Sequence, residues 1–120
     1  YKNYCKPSTM SSMLTDFYAN KLLSKSSTDL LMRFLIESPT SSKRLKGLLP
    51  EGTIVAHKTG TGDSDKIIYA LNDVGIITLP DGTHLSIAVF VKHSTESYEA
   101  TEQLIAEITK EIYNSFVGIK

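Results

Sequence analysis

The tetrapeptide Pro80-Asp81-Gly82-Thr83, set between the apolar runs Val74–Leu79 and Leu85–Val91, most constrains the fold. Asp-Gly tolerates positive φ and closes a tight hairpin, so the two runs are expected to be neighbouring antiparallel strands. After the turn, Leu85, Ile87, Val89 and Val91 alternate with Ser86, Ala88 and Phe90. A period of two assigns these sets to opposite faces of a strand. Ala88 and Phe90 are apolar as well, which implies that both faces of the sheet are covered. A further extended segment, Thr53 to Thr59, is rich in β-branched residues and precedes the pair.

The flanking segments change to helical spacing. Met10, Met13, Leu14 and Phe17 fall three and four apart and predict a short amphipathic helix with Ser8 or Thr9 as N-cap. Ser26-Ser27 opens a second, with Leu30, Leu31, Phe34 and Leu35 on its apolar side and Pro39 as its stop. Lys43 to Leu49 predicts one or two helical turns closed by Pro50. Ser94 or Ser97 caps a long helix in which Thr101, Leu104, Ile105, Ile108, Ile112 and Phe116 repeat at helical spacing. Glu96 and Glu99 stand early in it and Lys110 late, as the macrodipole favours. Helices, three strands, then a helix make an α+β arrangement with a terminal helix on an antiparallel sheet. No repeat, low-complexity tract or linker divides the 120 residues, so residues 1–120 are read as part of one domain.

Thirteen basic residues balance thirteen acidic ones, which gives no reason to propose nucleic acid or an anionic membrane surface as a partner. No apolar run approaches the roughly 20 residues that a membrane-spanning helix needs. Cys5 stands alone, so an internal disulfide is excluded, and it reads as a small packed residue rather than a nucleophile. His57, His84 and His93 lack any metal-ligand spacing, and no metal or cofactor is expected.

The chemistry concentrates in His57-Lys58-Thr59-Gly60-Thr61-Gly62, which follows the extended run Thr53-Ile54-Val55-Ala56. It brings a cation, a hydroxyl and a glycine to what reads as the end of a strand, near residue 60. An acyl-transfer site for an anionic substrate needs a cation and a hydroxyl donor for the carboxylate, and a backbone N–H aimed at the developing oxyanion. Glycine on a strand edge admits close backbone approach. The plainer alternative, a lysine at an exposed strand end before a glycine turn, is disfavoured by the hairpin and helix that follow. Gly60-Thr61-Gly62 is not a phosphate loop, because no Gly-Lys pair follows and a dinucleotide fingerprint would need glycine where Asp65 stands. Arg44 either offers a planar guanidinium for bidentate carboxylate binding or joins Lys43 and Lys46 in a solvated basic patch. Asn72-Asp73 reads as structural, tying down the start of the second strand or capping the loop before it.

Three blocks carry a resemblance: Arg44 to Pro50, Val55 to Thr61, and Asn72 to Gly82. In this order they resemble the C-terminal half of a class A serine β-lactamase, similar to the Bacteroides-type extended-spectrum cephalosporinases of the penicillin-recognising serine enzyme family. The resemblance implies a β-lactamase/transpeptidase-like fold, present here as a partial domain. It implies attack of a serine on the β-lactam carbonyl, hydrolysis of the acyl-enzyme by water, and antibiotic resistance as the outcome. Lys58 matches the lysine that contacts the substrate carboxylate and sets the local electrostatics. Thr59 matches the hydroxyl that binds the same carboxylate. Thr61 matches the position whose backbone N–H forms half of the oxyanion hole, its side chain also reaching substrate. Gly60 and Gly62 permit close approach, and Arg44 matches a guanidinium directed at the carboxylate.

Asn3 stands where many relatives carry an aspartate that braces the Ω-loop, and Tyr1 falls just inside the end of that loop. Ser-x-x-Lys, Ser-Asp-Asn and Glu-x-x-Leu-Asn do not occur in the 120 residues. The nucleophile and the deacylating base are therefore expected on an N-terminal part, which becomes the expected partner alongside a small-molecule β-lactam. The family's substrate implies a periplasmic or secreted location. The chain alone is expected to be inactive and to leave apolar faces exposed. A penicillin-binding protein or DD-peptidase relative, or a non-catalytic ligand-binding module on the same fold, would share the Lys-Thr-Gly strand.

Overall fold

A computed structural model describes residues 3–118, so the expectation attached to Tyr1 lies outside the described residues. The elements are α1 (Pro7–Tyr18), α2 (Lys25–Ile36), β1 (Val55–Ser64), β2 (Ile67–Thr78), β3 (His84–Ser94) and α3 (Tyr98–Val117). The strands form one antiparallel sheet in the order β1-β2-β3, so the α+β arrangement is as expected.

The β2–β3 hairpin is held by its own turn residues. Asp81 Oδ1 accepts from the Thr83 hydroxyl at 2.6 Å and the Thr83 amide at 2.9 Å, and Gly82 takes φ +85°. The Thr83 hydroxyl and then its amide hold the Asp81 carboxyl below the usual carboxylate range. Thr78 pairs with His84 and the register continues unbroken to Leu71 opposite Val91.

A second hairpin was not expected. β1 runs on past Gly60 to Ser64, and β2 begins at Ile67 rather than Val74, with only Asp65-Lys66 between them. Ile67, Ile68 and Tyr69 are β-formers, but Asn72 and Asp73 interrupt the apolar pattern and hide the continuity. The register shifts between Gly62 and Asp63, which pair with Ala70 and Ile68 and leave Tyr69 as the extra residue of a bulge.

Helix starts shift slightly. α1 opens on Pro7 at its first turn, where the fixed φ and missing N–H cost nothing, so Lys6 is the N-cap and Ser8 and Thr9 lie inside. Ser24, not Ser26, caps α2 by accepting from the Ser27 amide at 3.2 Å. Residues 43–49 form hydrogen-bonded turns (Gly47 N to Arg44 O, Leu49 N to Lys46 O) and no helix. Ser97 caps α3, and Gly118 ends it at φ +77°, which leaves Lys110 in mid-helix instead of the last turn.

Both sheet faces are covered. Leu71, Ile77, Leu85, Ile87 and Val89 pack with Leu45, Ile105 and Tyr113 on the α3 side. Ala56 and Ile76 pack with Leu14 and Phe17 on the α1 side, supported by Met32 and Leu35 of α2. Cover is incomplete beyond that. α2 buries only Thr28, while Leu30, Leu31 and Phe34 are exposed, as are Leu104, Ile108 and Phe116 on α3. Cys5 is exposed rather than packed, because it precedes α1 and no element closes over it among the described residues.

Gly75 lies opposite His57, and a Cβ there would sit 2.3 Å from the Ala56 carbonyl oxygen and 2.9 Å from His57 Cβ. Gly75→Ala is expected to destabilise the folded protein by about 1–3 kcal/mol or more, read as a lower urea midpoint. Asp81, with its folded-state pKa depressed, contributes stability above the unfolded carboxylate value and loses it as the pH falls through the lower folded value. The stability difference between the wild type and Asp81→Asn is therefore expected to shrink as the pH drops below about 4, measured by denaturation across an acid series.

Candidate active site

β1 is an edge strand, and the Lys-Thr-Gly sequence lies within it, not at its end. Cross-strand pairing puts Lys58, Gly60 and Gly62 on one face with Val74, Asn72 and Ala70. Thr59 and Thr61 point to the other face, with Asp73 and Leu71 opposite. The strand thus delivers its cation to one side and its hydroxyls to the other while the glycines leave the edge clear.

A cleft of about 520 Å³ lies on the lysine face, lined by Lys58, Thr59 and Gly60 of β1, Asn72 and Val74 of β2, and Phe90 of β3. Asn3, Tyr4, Cys5 and Met10 form its other wall. Lys58 is exposed there, and its Nζ donates to the Thr59 carbonyl at 2.6 Å. A Cβ at Gly60 or Gly62 would meet nothing within 4 Å among the described residues, and neither glycine needs positive φ. Folding therefore makes no steric demand for glycine at either position.

Arg44 is not a solvated basic residue. It is only 4 % exposed and reaches Thr61 from behind the strand. Its Nε donates to Glu102 Oε1 at 3.1 Å, its Nη1 to the carbonyls of Asn72 (3.0 Å) and Gly60 (3.4 Å), and its Nη2 to Thr61 Oγ1 at 2.8 Å. Four of the five guanidinium N–H groups are thereby engaged. Glu102 also accepts from the Ser41 hydroxyl at 3.0 Å, so α3 fixes both the turn and the guanidinium. Sequence reasoning missed Glu102. The available signal was a carboxylate beside Thr101 on the buried stripe that continues through Ile105 and Thr109.

Asp73 and His57 form a second buried pair. Asp73 is fully buried in mid-strand, not ahead of β2 as expected, and accepts from the Leu45 amide at 3.2 Å. His57 Nδ1 lies 3.0 and 2.9 Å from the two Asp73 oxygens. A carboxylate only accepts, so Nδ1 carries the proton. His57 Nε2 and Asn72 Oδ1 are buried without a partner among the described residues. His84 meets the Tyr18 hydroxyl at 3.1 Å and His93 stands edge-on to Tyr69. Among the described residues, no helix is long and apolar enough to cross a membrane.

Comparison with known proteins gives the same frame. Residues 1–116 match the model of the β-lactamase enzyme family. β-Lactamase VEB-1 of Pseudomonas aeruginosa is 48% identical over 121 residues, which take in 98% of this chain and 40% of that protein. The crystal structure of TLA-1 extended-spectrum β-lactamase aligns with a TM-score of 0.94 at 49% identity, covering 96% of this chain and 42% of its own. A class A β-lactamase representative from Bacteroides cellulosilyticus aligns with a TM-score of 0.91 at 34% identity, covering 95% and 42% respectively. The chain spans about 40% of the length of these relatives. The family match runs through residues 1–116 and the backbone course agrees with these structures, and the chain belongs to the β-lactamase enzyme family, as a partial domain of the class A, β-lactamase/transpeptidase-like fold.

Proposed function

We propose that this segment forms the carboxylate-binding and oxyanion-hole wall of a serine β-lactamase, which opens the β-lactam amide through an acyl-enzyme. One observation carries the reading: Gly60 and Gly62, which the fold does not require, leave β1 clear of side chains beside Lys58, Thr59 and Thr61, and the cleft on the lysine face reaches Gly60. A substrate that must approach main chain closely explains glycine there.

In this reading the Lys58 ammonium leaves the Thr59 carbonyl and turns to a substrate carboxylate lying along the open edge, which the Thr59 hydroxyl reaches from the other face of the strand. Arg44 acts from beneath. Because Thr61 Oγ1 already accepts from Nη2, the Thr61 hydroxyl proton is free to donate outward. The remaining Nη2 proton adds positive potential at the same point, in surroundings where charge is weakly screened. The Thr61 backbone N–H supplies one oxyanion donor as the carbonyl becomes tetrahedral, and a donor of this kind is worth about 10²–10³ in rate.

The attacking serine, its lysine, the proton-shuttling serine and the deacylating glutamate belong to an N-terminal part of the enzyme. The exposed apolar faces of α2 and α3 suit its docking. Periplasmic or secreted placement and antibiotic resistance follow from a β-lactam substrate.

The 120-residue chain alone is expected to show no nitrocefin turnover above the uncatalysed rate, with activity appearing when the N-terminal part is supplied. Turnover by the purified chain alone would refute the division of labour. In the full-length protein, Gly60→Ala is expected to leave stability within about 0.5 kcal/mol. Acylation by a fluorescent penicillin should nonetheless slow by about 10²-fold, as displacement of a reacting group does. Unchanged acylation would count against the open edge as the substrate seat.

A further inference from the structure

We propose that His57 and Asp73 are positioning residues for the site: a buried pair that sets where the Arg44 guanidinium meets Thr61. This deepens the function proposed above and rests on it.

The geometry makes β2 grip Arg44 at both ends. At the tip, Arg44 Nη1 donates to the Asn72 carbonyl at 3.0 Å. At the root, the side chain of the next residue, Asp73, accepts from the amide of Leu45, the residue that follows Arg44. Among the described residues, that amide is the one main-chain group of residues 38–49 that hydrogen-bonds the sheet. The turn carries no helix of its own, so without this anchor it is hydrogen-bonded to the sheet only through the guanidinium, and the packing of Leu45 in the core does not fix the direction of its main chain.

His57 holds the anchor in place. A carboxylate with no exposed surface is stable only when its lone pairs are matched by donors, and Leu45 N supplies just one. His57 Nδ1 supplies the other and lies within 3.0 Å of both oxygens, which fixes the plane of the carboxyl group. His57 pairs across the sheet with Gly75 and leans along the strands to Asp73, its diagonal neighbour. It also directly precedes Lys58. One pair therefore joins the β1 residue before the cation, the β2 residue beside the guanidinium's acceptor, and the turn that carries the guanidinium. Removing either member allows Arg44 to shift relative to Thr61 while the Glu102 ion pair still holds its Nε.

The test uses the full-length protein. Asp73→Asn keeps the shape but presents an amide NH₂ to one of the two donors. It is expected to raise KM for a carboxylate-bearing cephalosporin by about tenfold while kcat changes less than about threefold, the pattern of lost binding common to ground and transition states. In an Arg44→Ala background the same change is expected to add nothing to KM, because residues acting as one unit are not additive. His57→Leu, which removes the Nδ1 donor, should raise KM in the same way and serves if Asp73→Asn does not fold. Additive KM effects in the two backgrounds would overturn the proposal, as would a fall in kcat that follows only loss of stability. A crystal structure of the Asp73→Asn or His57→Leu protein reads the claim without catalysis. The Arg44 Nη2 to Thr61 Oγ1 contact should lengthen while Arg44 Nε to Glu102 remains, and a contact kept at 2.8 Å sinks the proposal. A wild-type protein that fluorescent penicillin cannot acylate would sink the functional reading instead.

Discussion

A buried guanidinium organises this half-domain. Taking an ion out of water costs several kcal/mol even after relaxation, so Arg44 can lie under the sheet edge only because its donors find acceptors. Those acceptors come from three separate elements: Glu102 of α3, the carbonyl and hydroxyl of β1, and the carbonyl of β2. The turn that bears Arg44, the edge strand and the terminal helix thus depend on one another through a single side chain. Apolar packing on the α3 face supplies the bulk of the stability, but it does not by itself fix where residue 44 sits along β1. The polar contacts do, and they fix it at Thr61.

The glycines separate fold from site within one residue type. Gly75 and Gly47 are required by close approach: a Cβ would meet a backbone carbonyl oxygen at 2.3 Å in the first case and 2.4 Å in the second. Gly60 and Gly62 face no such obstacle among the described residues, although glycine weakens a strand interior. A cost without a folding reason, placed on the edge that lines the cleft, is what a ligand-accepting strand leads one to expect. Lys58 and Asn72 on the same face, and Thr61 with its arginine on the other, give that edge its chemistry.

Local signals made about half of the architecture legible. The Asp81-Gly82 turn, the alternation in β3 and the helical period of α3 each depend on residues a few positions apart, and each identifies its element, although the buried face of α3 runs through Glu102, Ala106, Thr109 and Tyr113 and leaves Leu104, Ile108 and Phe116 exposed. The first half of β2 was not legible in this way, because Asn72 and Asp73 look like loop residues until Arg44 is seen on the Asn72 carbonyl and Leu45 and His57 on the Asp73 carboxylate, all from other parts of the chain. The β1–β2 turn escaped for a related reason: Asp65-Lys66 lacks the Asn-Gly or Asp-Gly signature of a tight hairpin. Of the candidate site residues, Lys58, Thr59, Gly60, Thr61 and Gly62 are contiguous and legible as one motif, whereas local sequence leaves Arg44 open between carboxylate binding and a solvated basic patch, and the resemblance alone favours the former. The partner of Arg44, Glu102, lies 58 residues away and no local pattern links the two. Cys5 was misjudged because composition says how often cysteine is buried, not whether an element lies above a given one.

The two edges of the sheet are unlike among the described residues, and the difference fits the separate tasks that the proposed function would give them. An unpaired strand edge attracts any other strand, so an edge meant for a small substrate must discourage longer pairing. β1 has the means. Its register with β2 breaks at Gly62/Asp63, where the extra residue Tyr69 of β2 makes the bulge, and Lys58 and Asp63 place charges along β1. β3 has no such defence from His84 to Val91, where the register is regular and alternate residues are buried. Near His93, at φ +53°, its regular course ends. A regular, uncharged stretch of this kind is suited to a permanent neighbour rather than a transient one. In the function proposed above, the same sheet keeps one side for chemistry and offers the other for completion of the domain, without the two competing for the same strand.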